Sequence, residues 1–412
     1  MDTHTEHAKQ RIAYLAHAFP LAEEHYFSEE IEILRAKKVE VMIYAGFKPG
    51  NFKQMPHLQR FIDETVYVDH LRIPVFLRTV LVCVTDWRKL KDIYSRLAKG
   101  NEGFRRRVKG VLHTWMGVYL SELMKEQNIV HIHAHHGYLA SWLAMVAARM
   151  LGITYSMTLH GSDLLIDRVY LDKKINEASF CFTISDYNKR FLLKQYPVTA
   201  PEKVVVIHLG ADCACDALMD SVTSKENGRL VILTVGRLAS VKNHEFLIEA
   251  CAELKRRGHS LLCMIIGEGR EKKRLASLIR KLGLEQEVKL LGFVERNFLP
   301  YFHRMADLFV LTSKSEGLPI VLMEAMLNGN LVLAPRITGI PEIVSDGETG
   351  FLYESGNLCA FVDKVIHINE RLCSPDMVRK QARNRILKDF NRVANMEHFA
   401  HILLEKIALY RH

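Results

Sequence analysis

Short runs of apolar and β-branched residues alternate with longer helical patterns along almost the whole chain of 412 residues, and that rhythm admits few folds. In the first half the runs are RIAYLAHAF, VEVMIYA, IVHIHAHH, ITYSMTLHG and VVVIHLG; in the second they are LVILTVG, LLCMIIG, VKLLGF, DLFVLTS and LVLAP. Alternation of this kind implies parallel sheets covered by helices on both faces. It occurs twice, on either side of residues 213–229, a polar stretch without period that contains Asn227-Gly228 and reads as a linker. The expectation is an α/β protein with two doubly wound domains, residues 1–212 and 230–385, and a terminal segment 386–412. Ligands of such sheets bind beyond the carboxyl ends of the strands, so a cleft between the two domains is expected.

Apolar content of 49% and charged content of 25% are those of an ordinary globular protein. The formal charge of +9 suits an anionic membrane, an anionic substrate or nucleic acid, or only a basic surface. No nucleic-acid reading motif accompanies it, so nucleic acid is not expected. The eight cysteines have no regular spacing; Cys213 and Cys215 alone are close, and Cys181, Cys251 and Cys263 fall in apolar runs as core residues do. That pattern, a polar MDTHTEHAKQ start and the lack of a long uninterrupted apolar stretch point to the cytoplasm. Residues 88–109 are dense in Arg and Lys, with Leu90, Ile93, Tyr94 and Leu97 at helical spacing. They read as a basic helix that either packs in its domain or lies on an anionic membrane face.

Chemistry concentrates in SEGLPIVLMEAM, where Glu316 and Glu324 stand eight positions apart. Pro319 suits the start of a helix and Gly329 its end, which puts Glu316 on the strand-to-helix loop and Glu324 one to two turns up. Free N–H groups at that helix start attract phosphate, and carboxylates accept hydrogen bonds from sugar hydroxyls. Gly236 ends a strand, and Arg237 and Lys242 follow it as a fork and a point charge suited to a diphosphate. Gly267-Glu268-Gly269 lacks the third glycine of a dinucleotide fingerprint and reads as a strand-to-helix loop. Phe293 and Val294 end another strand, where Phe293 either stacks on a base or is buried. Thr338-Gly339-Ile340-Pro341-Glu342 reads as a helix first turn, either an N–H cluster facing the cleft or a simple cap.

His131, His133 and His135 alternate along one strand, with His136 beside them; His160 ends the next strand in His160-Gly161-Ser162-Asp163. The H-x-H-x-x-H spacing resembles a zinc-hydrolase signature, but His135 stands where that signature has Asp, and no metal is expected. There is no D-x-D motif, Walker loop or G-x-S-x-G elbow.

Taken together, the two glutamates, VGRL with Lys242, GEG, LLGFV and TGIPEIVSDGETGF resemble retaining glycosyltransferases of family 4, which have the GT-B fold of two Rossmann-like domains. The N-terminal half is similar to enzymes of bacterial exopolysaccharide synthesis of the colanic acid and amylovoran type. In Phe19-Pro20-Leu21-Ala22-Glu23-Glu24-His25-Tyr26 only part of their FPxxSETF pattern is kept, Glu24 included. The resemblance implies transfer of a sugar from a UDP- or GDP-sugar to a glycan or polyprenyl-linked acceptor, with no cofactor, at the inner membrane face. It implies that Arg237 and Lys242 hold the diphosphate, Glu324 the ribose and Glu316 the sugar. Gly236, Gly267, Phe293, Val294, Gly317, Leu318, Pro319 and Ile320 would complete the donor site. His160 would meet the sugar, and Glu24, His135 and Asp163 would lie on the acceptor side. Alternatives are a nucleotide-sugar epimerase or hydrolase, or a silent carbohydrate-binding scaffold.

Overall fold

The computed structural model describes residues 11–21, 25–49, 58–166, 168–212, 228–371 and 374–410. Glu24, the Cys213–Cys215 pair and most of the linker, 213–227, lie outside them. The chain forms two compact units, Met1–Ile184 with Lys189–Ile207 and Met396–His412, and Ser185–Asn188 with His208–Asn395. The division therefore falls at Ile207/His208 and at Asn395/Met396.

The first unit is built on seven parallel strands: β1 Arg11–Ala18, β2 Glu40–Phe47, β3 Thr65–Tyr67, β4 Ile129–His135, β5 Thr154–Leu159, β6 Phe180–Thr183 and β7 Val204–Val206. Their order is β3-β2-β1-β4-β5-β6-β7. The second unit has β8 Leu230–Val235, β9 Leu261–Ile266, β10 Val288–Gly292, β11 Leu308–Val310, β12 Leu331–Pro335 and β13 Phe351–Tyr353, ordered β10-β9-β8-β11-β12-β13. Each sheet grows outward from its first strand, reverses, and grows the other way, as in a Rossmann fold. Helices cover both faces, which is why the central strands read as continuous apolar runs.

β4 breaks that rule, because every second residue is histidine. Polar groups in a sheet core require partners. β5 supplies them in register: His131 faces Thr154, His133 faces Ser156 and His135 faces Thr158. His131 bonds Thr154 and Ser156, both at 2.7 Å, and His133 bonds Ser156 at 2.8 Å and Thr158 at 3.0 Å. Two strands of period two, one of imidazoles and one of hydroxyls, satisfy each other. Phe180 stacks on His131 at 5.5 Å, and Phe399 of the final helix Arg392–Leu409 packs on His133 and on Phe182 at 4.8 Å.

Residues 88–109 form parts of two helices, Trp87–Lys99 and Phe104–Met124, not one. Leu90, Ile93 and Leu97 are buried in the first unit's core, so the apolar face of the basic helix is already occupied. Bare apolar surface lies instead on the helix Ile73–Thr85, where Ile73, Leu77, Leu81 and Val84 are 62–75% exposed, and at Phe104, Val108, Val111 and Leu112.

Replacing Phe399 with alanine removes a fully packed ring, so the first unit should lose about 3–5 kcal/mol. All three tryptophans, Trp87, Trp115 and Trp142, belong to that unit, so their fluorescence during urea unfolding reads it selectively.

Candidate functional site

In the second unit the strand order reverses between β8 and β11. Connections leaving these strands diverge to opposite faces, and a crevice opens above their carboxyl ends. The loop after β8 carries Gly236, Arg237 and Lys242; the loop after β11 carries Glu316, Gly317, Leu318 and Pro319. Lys242 Nζ lies 2.7 Å from Glu316 Oε1, and Ser313 Oγ donates to the same oxygen at 2.5 Å. Thr312 Oγ1 donates to the Lys242 carbonyl at 3.1 Å, and the Lys314 N–H to the Val241 carbonyl at 2.8 Å. A partly exposed ion pair adds little stability. Its consequence is placement: an ammonium and a carboxylate are fixed side by side at the rim of the crevice.

Pro319 is the N-cap of the helix Ile320–Leu327. Pro319 has no N–H, so the backbone donors of this turn are Gly317, Leu318 and Ile320, while the proline ring sets the chain direction. Gly329, at φ +79°, takes the left-handed conformation just past the helix end. Glu324 rises from this helix to Arg296 Nη2 at 2.8 Å. Burial pushes its carboxyl above the usual range, and Arg296 opposes the shift. Arg296 was not among the expected residues; it follows β10 in a polar loop with no motif to mark it.

The glycines serve loop packing. At Gly267, φ +140°, a Cβ would fall 2.0 Å from the Gly236 carbonyl oxygen; at Gly269, φ +158°, 2.3 Å from that of Leu238. The Gly236 N–H donates to Ile266 and the Gly267 N–H to Gly292, at 2.9 and 2.8 Å, so the ends of β8, β9 and β10 lie against one another. A Cβ at Gly339 would come 2.2 Å from the Gly317 carbonyl oxygen. Phe293 is 71% exposed, which rules out the buried reading, and Val294 is half-buried beside it. Glu342 does not cap its own short helix. It accepts from the N–H groups of Asp186 and Tyr187, at 2.9 and 2.6 Å, at the start of the helix Asp186–Gln195.

In the first unit, His135 Nδ1 lies 3.1 Å from His160 Nε2 and His135 Nε2 lies 3.0 Å from Glu30, a helix residue the sequence did not flag. Burial, then His136 and His135, pushes the His160 imidazole well below its usual value, so it is neutral. Asp163 is fully buried and accepts from the N–H groups of Gly137, His160 and Gly161 at 2.8, 3.1 and 2.8 Å. Burial alone would raise its carboxyl, but His136, His160 and the Gly137 N–H outweigh that and hold it ionised. His135 and Asp163 thus shape the His160 loop and present no surface of their own. Glu30, His133 and His135 are close enough to hold a metal, yet both nitrogens of each ring already have protein partners.

Two family models match the chain: Glycosyl transferases group 1 over residues 218–385, and Glycosyltransferase Family 4 over residues 24–214. The amylovoran biosynthesis glycosyltransferase of Erwinia amylovora is 32% identical over 185 residues, 43% of this chain and 45% of that enzyme. The match therefore spans less than half of that relative. The UDP-Gal:alpha-D-GlcNAc-diphosphoundecaprenol alpha-1,3-galactosyltransferase of Escherichia coli is 24% identical over 70% of this chain and 79% of its own length. Among solved structures, a glycosyltransferase from Rickettsia africae superposes with a TM-score of 0.70 at 17% identity, covering 97% of this chain and 99% of the other.

The buried imidazoles carry a pH dependence. Burial pushes His131 down to about 3, and burial with nearby cations pushes His113 to about 4. The unfolded chain, with histidines near ~6.5, takes up protons that the folded unit refuses. Stability is therefore complete above that value and falls as pH drops, by about 1.4 kcal/mol per pH unit for each histidine kept neutral. Tryptophan-detected urea midpoints should fall from pH 7.5 to 5.5; a constant midpoint would contradict the network.

Proposed function

We propose that this chain, which belongs to the group 1 and family 4 glycosyltransferases, moves a sugar from a UDP- or GDP-sugar to a glycan or polyprenyl-linked acceptor with retained anomeric configuration. The observation that carries the reading is the Lys242–Glu316 pair at the strand-order reversal of the second unit. Lys242, with Arg237, holds the diphosphate and stabilises the charge that grows on it as the glycosidic bond breaks. Glu316 takes the sugar hydroxyls and Glu324, steadied by Arg296, the ribose. Phe293 offers an exposed ring to the base. In the transfer, the bond from the anomeric carbon to the phosphate oxygen breaks and one to the acceptor oxygen forms. The acceptor proton passes to the departing phosphate on the same face. His160, neutral, carries no proton in this scheme.

The amylovoran and diphosphoundecaprenol names of the relatives support a setting in cell-surface polysaccharide synthesis. Among the described residues no helix is long and apolar enough to cross a membrane. Peripheral contact with an anionic bilayer is instead supported by the bare rows on Ile73–Thr85 and at the start of Phe104–Met124, with exposed Arg72, Arg78, Arg88, Lys91 and Arg105 around them. The contact moves from the basic helix itself to its neighbours.

Lys242→Ala and Glu316→Gln should each lower kcat/KM by about 100-fold or more, and Arg296→Ala should chiefly raise the donor KM, by about 10-fold. Unchanged transfer in the first two, or epimerisation of the donor without acceptor, would overturn the reading. Leu77→Glu with Leu81→Glu should abolish flotation with anionic vesicles while neutral vesicles bind neither form.

A further inference from the structure

A second crevice lies wholly within the first unit, at its own strand-order reversal between β1 and β4. His17 is the second-last residue of β1, and Gly137 and Tyr138 follow β4. Between them opens a cavity of about 380 Å³. Arg106, Lys109 and His113 line it from one face of the Phe104–Met124 helix, and Lys174 from the Leu171–Glu177 helix. Positions 106, 109, 110 and 113 share that face, and Gly110 sits close against Leu97. No acidic residue is among the described residues that line the cavity. The remaining wall is apolar and aromatic: Leu139, Trp142, Val169 and Tyr170.

Three further observations point to a ligand. Lys174 is buried, its ammonium donating to the Gly137 carbonyl, so a full charge is held at the wall away from water. Tyr170 is only 4% exposed and its hydroxyl has no hydrogen-bond partner among the described residues. A buried hydroxyl left so is rare in the absence of a bound group. The field in the cavity is positive: after burial, it is Lys109, Lys174 and His17 that drive the proton from His113.

We propose that this cavity binds the phosphate or diphosphate of an acceptor whose other end is apolar, the cations taking the anion and the Trp142 wall the first part of the chain. The proposal rests on the glycosyl-transfer reading and gives its acceptor a chemical class and a place. Cations without carboxylates favour an anion over a bare sugar, whose O–H groups would find no carboxylate to donate to. Trp142 and the ring of Tyr170, with centroids 5.1 Å apart, offer a rigid apolar surface, while the Tyr170 hydroxyl is the one hydrogen-bonding group on it.

The test is isothermal titration of the full chain with farnesyl diphosphate, farnesol and inorganic diphosphate, alongside UDP and GDP. Arg106 and Lys109 are exposed, so the double variant Arg106→Ala with Lys109→Ala should fold. Farnesyl diphosphate should bind the native chain at least tenfold more tightly than either farnesol or inorganic diphosphate. The double variant should lose at least tenfold of that affinity while its affinity for the nucleotide is unchanged. The proposal is overturned if farnesyl diphosphate does not bind or binds the double variant equally. It is also overturned if farnesol matches it, or if inorganic diphosphate does, which would assign the cavity to free phosphate. Failure of both nucleotides to bind, with farnesyl diphosphate binding intact, would sink the donor reading and leave the cavity's.

Discussion

Backbone pressed against backbone is the constraint on which the second unit's crevice depends. Gly267 meets Gly236, Gly269 meets Leu238 and Gly339 meets Gly317, at distances where no Cβ fits. These contacts bring the ends of four strands so close that side chains from separate loops share one small region. Lys242 reaches Glu316 only because the loops after β8 and β11 are laced by Thr312 and Lys314. The glycines therefore act on ligand binding at second hand: they set the loops, and the loops set the charges.

The first unit solves a different problem by the same economy of register. Three histidines in the middle of a parallel sheet would destabilise it if their nitrogens were unpaired. The hydroxyls of Thr154, Ser156 and Thr158 repeat with the same period of two, so one in-register pairing satisfies His131 and His133, while His135 takes Glu30 and His160. A slip of one residue would turn one row to the other face, away from its partner, and a slip of two would leave an imidazole without its hydroxyl. The network thus fixes the register of β4 on β5, and with it the loops carrying Gly137 and His160 at their carboxyl ends.

Much of this was legible in the sequence because it was periodic. All ten apolar runs became strands, and the two-fold alternation gave the parallel architecture. β3, β6 and β13 escaped notice, since three or four residues are too short to display a period. Glu316, Glu324, Arg237 and Lys242 were visible as residue types at strand ends. Their partners were not. Arg296 and Ser313 carry no motif, and Glu30 reaches His135 across 105 positions of chain, a distance that only the fold closes. The basic run at 88–109 left two readings open for a related reason: helical spacing shows an apolar face but not what covers it. Leu90, Ile93 and Leu97 are covered by the core, whereas Leu77 and Leu81, in a run with little charge to draw the eye, are not.

Both sheets reverse after their first strand, so the same topology yields two crevices, and their linings differ in a telling way. Around β8 and β11 cations stand beside carboxylates, which suits a ligand that brings a diphosphate and hydroxyls together. Around β1 and β4 cations stand beside Trp142, Leu139 and Tyr170, with no carboxylate among the described lining. A sugar there would find few acceptors for its hydroxyls, and a free anion would leave the apolar wall wet. Only a molecule that is anionic at one point and apolar next to it uses both halves of the lining. On the proposed reading, the difference in chemistry between the two crevices is what separates donor from acceptor.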